Sequence, residues 1–353
     1  MQRRMSRLND PTPPTVLVLR FSSAGDVLLT SAALEALERA WPDARIVVVT
    51  KAPFVDLVRT HPSVDAVVAL APGESAWSLR RRLSALQPTD VLDLHGKLRG
   101  ALLRRLVAPR HRSAWRNRPW YRSLGVRLGL TRYRSDRLVA DRYHEAVERL
   151  VGHAVDKGRL RYVVAAEHVA RTAAVLQEAG VDLSRPVCGM SPGSQWLTKR
   201  WPADYYGALA AKLGDDGVQV VLAGSRDEME MTAAVQKLAP LAIDLGGRLG
   251  LGELGGFIQH CALFVANDSG PMHLARALGV PTLALFGSTD PALFDFTGHA
   301  AMFLGLECSP CSLYGRRRCP LGHFRCMREL DVERVYAAAK RLLGAPRPGL
   351  VVG

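Results

Sequence analysis

The feature that most constrains this chain is one repeated unit: a short apolar run that stops at Gly, Ser or Asp and gives way to a helical pattern. The first copy, TVLVLRFSSAGDVLLTSAALEALERAWPDARIVVVTK, begins at Thr15. It reads as a strand over 16–20, a turn of small residues, an amphipathic helix over about 27–40 and a β-branched strand over 46–50. Such a strand–helix–strand unit implies parallel strands joined by a right-handed crossover. Further strands are expected at 66–70 and 90–94, the latter leading into His95-Gly96. The second half repeats the grammar as VCGMSPGS, VQVVLAGS, AIDLGG, CALFVANDSG and VPTLALFGS.

At 353 residues the chain favours two domains, with a boundary near 165–185. The pattern therefore predicts an α/β protein of two doubly wound domains facing each other. Ligands in such sheets bind beyond the carboxyl ends of the strands. A last helix over 332–343 is expected to pack back on the first domain. No apolar run approaches the roughly 18 residues of a membrane span, and the opening MQRRMSRLNDPTPP lacks the apolar core of a signal peptide. A cytoplasmic protein able to touch a membrane surface is expected. The net charge of +14 is uneven: residues 1–150 hold 26 Lys and Arg against 14 Asp and Glu, whereas 151–353 hold 21 against 19. A basic N-terminal half attracts polyanions, whether nucleic acid, an anionic membrane face or a phosphorylated substrate.

Four turns carry candidate chemistry. Phe21-Ser22-Ser23-Ala24-Gly25-Asp26 joins the first strand to the first helix; its small residues let the backbone approach a ligand, and Asp26 either caps the helix or faces the ligand as a general base. In SPGSQWLTKRWPADYYGAL, from Ser191, the residues Ser194, Thr198 and Lys199 offer hydroxyls and a cation suited to a phosphate, or else form a solvated turn over a packed Trp201. In LAGSRDEMEM, Gly224 and Ser225 admit a nucleoside, with Asp227 or Glu228 toward ribose hydroxyls. In VANDSGPMHLARALGVPTLALFGSTDP, Asp268, Ser269 and Gly270 place a helix N-terminus beyond a strand, a geometry suited to pyrophosphate, and His273 lies in that helix's first turn. Neither a GxxxxGK[ST] loop nor a GxGxxG after a strand is present, which disfavours P-loop and NAD-dependent readings.

Taken together, these turns resemble glycosyltransferase family 9, the bacterial heptosyltransferases of the lipopolysaccharide inner core. The matching segments, in family order across roughly 15–335, are RFSSAGDVLLTSAAL, DLHGKLRG, PGSQWLTKRWP, LAGSRDE, NDSGPMHLARALGVPTLALFGSTDP and CSPCSLYGRRRCPLGHFRCM. The resemblance implies a GT-B architecture of two Rossmann-like domains facing a central cleft. Residues 1–175 would bind the acceptor, 176–330 the nucleotide sugar, and 331–353 would form a C-terminal helix and tail. It also implies inverting, metal-independent transfer of heptose from ADP-L-glycero-β-D-manno-heptose to a core sugar hydroxyl, with no cofactor required. Asp26 matches the family's base, Lys199 its donor-phosphate lysine, Ser194 the preceding hydroxyl position, and Asp268, Ser269, Gly270 and His273 its diphosphate element. Gln195 departs from a family version with a second hydroxyl there.

The implied acceptor is Kdo-lipid A or a heptosylated core at the cytoplasmic face of the inner membrane, with no nucleic acid as partner. Ser23, Gly25, His95, Lys97, Arg99, Arg116 and Arg118 are candidate contacts. Between Lys97 and Arg142 there are 14 Lys and Arg and only 2 Asp and Glu, a basic stretch suited to an acidic, phosphorylated acceptor or to a solvated face. Cys308, Cys311, Cys319 and Cys326, with His323 within their span, read as a structural zinc site or as reduced cysteines packed in a loop. Two other functions remain in view: a GT-B enzyme using another nucleotide sugar, and a basic nucleic-acid-binding protein.

Overall fold

The computed structural model describes residues 13–107, 110–115 and 137–344. They divide into two compact units, one holding the described residues up to 115 together with 137–163, the other holding 164–344. In the first unit the chain runs through β1 (Thr15–Leu19), α1 (Ala24–Ala40), β2 (Arg45–Lys51), β3 (Ala66–Leu70), α2 (Ala76–Ser84), β4 (Asp90–Asp93), α3 (Leu98–Leu106), β5 (His111–Ala114) and α4 (Val139–Val151). Its strands are all parallel, in the order β3-β2-β1-β4-β5. Val16, Leu17, Val18 and Leu19 are all buried, so β1 is covered on both faces. That is why its sequence reads as a continuous apolar run rather than an alternating one.

The second unit opens with α5 (Ala166–Glu178), which packs on α8 (Leu251–Gln259). Thr172 Oγ1 donates to the Glu253 carbonyl at 3.0 Å, and buried His168 sits 3.0 Å from the Glu253 carboxylate. These contacts draw the division ahead of the 175/176 boundary expected from sequence. Between and beyond those helices lie β6 (Val187–Ser191), α6 (Ala203–Asp215), β7 (Gln219–Leu222), α7 (Met229–Leu238), β8 (Ile243–Asp244), β9 (Leu263–Asn267), α9 (Gly270–Ala277), β10 (Thr282–Phe286), β11 (Ala300–Phe303), α10 (Arg325–Arg328) and α11 (Val332–Leu343). The sheet is again parallel, in the order β11-β10-β9-β6-β7-β8.

The last helix, α11, packs on α6, β9 and β10 of the second unit. Val335, Ala338 and Ala339 enter the same core as Trp201, Tyr206 and Leu209. On its outer side Tyr336 Oη and Lys340 Nζ reach the Asp216 carboxylate at 2.8 and 2.9 Å. Its apolar positions repeat at helical spacing, and that stripe is already filled by this core. Among the described residues, no helix is long and apolar enough to cross a membrane.

Candidate active site

Each sheet reverses its strand order once. In the first unit the chain steps outward from β1 to β2 and β3, then returns to place β4 on the other side of β1. In the second it steps from β6 to β7 and β8, then returns with β9 on the other side of β6. Beyond the carboxyl ends of strands at such a reversal the flanking turns diverge and leave a crevice. The turns leaving β1 and β4, and those leaving β6 and β9, contain most of the residues singled out from sequence.

At the first crevice, α1 starts at Ala24, earlier than its apolar periodicity suggests, so Asp26 lies in the first turn behind the N-cap Ser23. The Ser23 N–H and hydroxyl donate to Asp26 Oδ2 at 3.3 and 3.1 Å, a reciprocal capping box. The same oxygen pairs with the Arg20 guanidinium. Arg20 is buried, and its Nη1 donates to the Leu94 carbonyl at 2.6 Å, tying the end of β1 to the end of β4. Asp26 keeps 30% of its side chain exposed against 8% for Arg20. Among the described residues its Oδ1 has no hydrogen bond or ion pair, so one oxygen is anchored and the other presented. Gly25 is buried in the same helical turn.

The turn after β4 is built on Asp93, whose Oδ1 accepts from the N–H groups of His95 and Gly96 at 2.9 and 3.0 Å. Gly96 has φ +63, and a Cβ there would strike the Trp115 indole, so glycine is required on both counts. His95 is buried edge-on against Phe21, with ring centroids 4.8 Å apart. Burial, then the charges of Arg20 and Lys97, push its pKa down to about 4, leaving the ring neutral at neutral pH. Its Nδ1 has no hydrogen-bond partner among the described residues. Lys97 is exposed; Arg99 donates to the Glu74 carbonyl and lies over the Phe21 ring. Arg116 and Arg118 lie outside the described residues, as does much of the basic stretch.

At the second crevice, Lys199 Nζ sits 2.6 Å from Asp268 Oδ2, which also accepts from Thr289 Oγ1 at 2.6 Å. Here the carboxylate is the deeper partner, 7% exposed against 13% for Lys199. Burial pushes the Asp268 carboxyl up, yet the charges of Lys199 and His273, with hydrogen bonds from Lys199 and Thr289, outweigh it and hold it below the usual carboxylate range. Asn267 stitches the crevice together: its Oδ1 accepts from the Trp201 N–H at 3.0 Å and its Nδ2 donates to the Pro192 carbonyl at 2.8 Å. The first turn of α9 opens at the half-buried Ser269 and Gly270, with Pro271 just inside. His273 is buried edge-on against Phe294, with Arg276 Nη1 3.3 Å from its Nδ1.

The remaining expected donor contacts divide. Thr198 spends its hydroxyl internally, 3.0 Å from Ser288 Oγ and accepting from the Arg316 N–H at 2.8 Å. Ser194 is buried, and its carbonyl accepts from Arg200 Nε at 2.7 Å. Gly224 and Ser225 follow β7, where the Ser225 N–H and hydroxyl donate to Glu228 Oε2 at 3.0 and 2.9 Å. A Cβ at Gly193 would meet the Glu228 carboxylate at 2.2 Å, so a glycine after β6 lets Glu228 lie close against that turn. Asp227 is exposed beside it.

The zinc reading of the four cysteines gains no support from the structure. Among the described residues, no three His, Cys, Asp or Glu side chains are grouped so as to hold a metal ion. All four are free thiols. Burial and the neighbouring cysteines push the Cys326 thiol up to about 12, and Cys308 Sγ lies 3.9 Å from His323 Nε2. Sequence reasoning missed Arg20, Asn267 and Thr289. Arg20 carried a signal, being a cation at the end of an otherwise apolar strand; the other two are linked by contacts distant in sequence.

Two Rossmann-like units, each built on a parallel sheet with a charged strand-end crevice, are the GT-B glycosyltransferase architecture. The fold matches the crystal structure of the glycosyl transferase family 9 from Veillonella parvula DSM 2008 with a TM-score of 0.76, at 24% identity, covering 94% of this chain and 97% of that one. It matches the Escherichia coli ADP-heptose lps heptosyltransferase II structure at 0.72, with 24% identity over 93% and 98% of the two chains. The family described as Glycosyltransferase family 9 (heptosyltransferase) matches residues 76–324. The chain belongs to glycosyltransferase family 9 and is a glycosyltransferase. Relatives include lipopolysaccharide heptosyltransferase 2 of Salmonella typhimurium, 29% identical over 80% of this chain and 84% of the relative, and lipopolysaccharide heptosyltransferase 1 of Pseudomonas aeruginosa, 28% identical over 84% and 85%.

Proposed function

We propose that this enzyme transfers heptose from ADP-L-glycero-β-D-manno-heptose to a sugar hydroxyl of the lipopolysaccharide inner core, inverting the anomeric centre without a metal. The observation that carries this reading is the pair of strand-end ion pairs, which present opposite charges. Asp26 offers a carboxylate oxygen, and Lys199 offers an ammonium group. Asp26 takes the proton of the acceptor hydroxyl as its oxygen bonds to the anomeric carbon. The bond from that carbon to the β-phosphate oxygen breaks, and its electron pair leaves with ADP. Lys199 and the free N–H groups at the start of α9 receive that growing negative charge. Asp268, whose Oδ2 is taken up by Lys199 and Thr289, acts on the diphosphate by holding Lys199 rather than by touching it.

The names of the relatives support heptose as the sugar and a lipopolysaccharide core as the acceptor. His95, neutral and with an Nδ1 that has no partner among the described residues, suits an acceptor hydroxyl, and Lys97 suits an acidic one. Glu228 and Asp227 suit the donor ribose. The enzyme would work at the cytoplasmic face of the inner membrane, where Kdo-lipid A or a heptosylated core is met. Purified enzyme given ADP-heptose and defined Kdo-lipid A acceptors, with and without a first heptose, is expected to form product in EDTA. Product from another nucleotide sugar but not from ADP-heptose would transfer the reading to that donor; no transfer to any core acceptor would reject it.

A further inference from the structure

We propose that the second unit carries a separate binding site for a phosphomonoester, in a groove of about 730 Å³ walled by Arg200, Arg317, Arg318 and Arg328. The groove lies between the first turn of α6, Met231 of α7 and the loop leading into α10, and Asp204 is the one carboxylate among its described lining residues. It is distinct from the donor crevice, since neither Lys199 nor Asp268 lines it. Adjacent residues part company here: Lys199 turns to Asp268, while Arg200 turns to the groove.

What marks this groove is the state of its arginines. Arg316, at the head of the Arg316-Arg317-Arg318 run, is used by the fold, its N–H donating to Thr198 and its Nη2 donating to the Cys311 carbonyl at 3.3 Å. Arg317, Arg318 and Arg328 make no side-chain hydrogen bond or ion pair among the described residues. Arg200 commits only its Nε, to the Ser194 carbonyl. Four guanidinium groups gathered in a concavity repel one another unless an anion joins them, and their planar forks match phosphate oxygens two at a time. The wall behind them is rigid. Trp201 is fully buried with Nε1 donating to the Leu330 carbonyl at 2.8 Å, and Tyr205 Oη donates to the Arg328 carbonyl at 3.1 Å. Phe324 lines the groove at φ 53, a left-handed conformation that costs a phenylalanine energy and that the surrounding structure must enforce. Tyr205 and Phe324 give apolar faces against which the body of a phosphorylated ligand can lie.

The proposal stands independently of heptose transfer, and its test is a binding measurement. Inorganic phosphate is titrated calorimetrically at low salt into the full-length protein, its Lys199→Ala variant and its Arg317→Gln/Arg318→Gln variant. In the Lys199→Ala protein, phosphate is expected to bind as it does to the groove of the wild type. The double variant, whose exposed substitutions should leave the melting curve unchanged, is expected to bind roughly 100-fold more weakly, about tenfold for each lost fork. Arg317→Lys/Arg318→Lys, which keeps charge without the fork, should fall between. Absence of phosphate binding in the wild type, undiminished binding in the glutamine variant, or loss of all binding in Lys199→Ala would each overturn the assignment. Co-sedimentation with phosphatidylcholine vesicles that requires added phosphatidic acid, and is lost in the glutamine variant, identifies a membrane-borne phosphate. Phosphate binding without such co-sedimentation identifies a soluble phosphomonoester.

Discussion

The crevice of the first unit and the crevice of the second use the same device with the partners exchanged. Each has a cation and a carboxylate paired at the end of a central strand, one buried as the anchor and the other left nearer the surface. In the first, Arg20 is the anchor and Asp26 is presented; in the second, Asp268 is the anchor and Lys199 is presented. A buried charge is tolerated only when paired, so the deeper member of each pair holds the shallower one in place. The two crevices thereby present a carboxylate oxygen in one case and an ammonium group in the other, through the choice of which partner lies deeper.

The difference can be broken most severely on the carboxylate side. Asp26→Asn should reduce kcat by about 10³-fold with a small change in donor KM, since a general base commonly contributes 10²–10⁴. Its stability cost should be about 2 kcal/mol, because Arg20 is left buried without its countercharge while keeping the Leu94 carbonyl as an acceptor. Steady-state kinetics and a denaturant melt on the same preparation check both halves.

Lys199→Ala should behave in the opposite sense. Donor kcat/KM is expected to fall by roughly 10²-fold, and stability by about 3 kcal/mol, because Asp268 is left buried with its main countercharge gone. Adding Asp268→Asn to Lys199→Ala should restore most of the stability and none of the donor use. A double variant no more stable than Lys199→Ala would show that Asp268 is not the anchor.

A smaller effect separates the units by pH. His95 in the first and His299 in the second both have pKa values pushed down to about 4, in each case by burial first. The unfolded chain takes up these protons near pH 6.5 and the folded chain only near 4, so the unfolded state binds more protons between those values. Stability therefore falls as pH drops from about 6.5 toward 4, by at most about 3 kcal/mol for each ring. His95→Gln and His299→Gln should each flatten part of this acid limb in urea melts taken across the window; an unchanged limb would show that the rings are protonated in the native state. Smallest of all, Ser23→Ala removes the hydroxyl from the cap of α1 and should cost about 1 kcal/mol.

Local pattern revealed much of this. The strands expected at 16–20 and 46–50 are β1 and β2 to within a residue at either end, and the 66–70 strand and the last helix coincide with β3 and α11. Asp26, Lys199 and Asp268 were visible because each follows a strand whose end is written in the sequence. Their partners were harder to see. The Arg20–Leu94 bond and the Asn267 bonds to Trp201 and Pro192 join residues far apart in the chain, and only the closed sheet brings them together. Thr198 shows the converse: a hydroxyl in the right loop reads as a phosphate contact until the fold spends it on Ser288 and Arg316. The destination of α11 was equally illegible, because an amphipathic stripe states that a helix has an apolar face and not which core receives it.

The division of labour between the two ion pairs is tested most directly by calorimetric titration of ADP, which engages the anion-attracting site without any chemistry. The account predicts that Lys199→Ala weakens ADP binding by at least about tenfold, as expected for loss of a charge-assisted contact, while Asp26→Asn binds ADP as the wild type does. ADP affinity that survives in Lys199→Ala and falls in Asp26→Asn would contradict it.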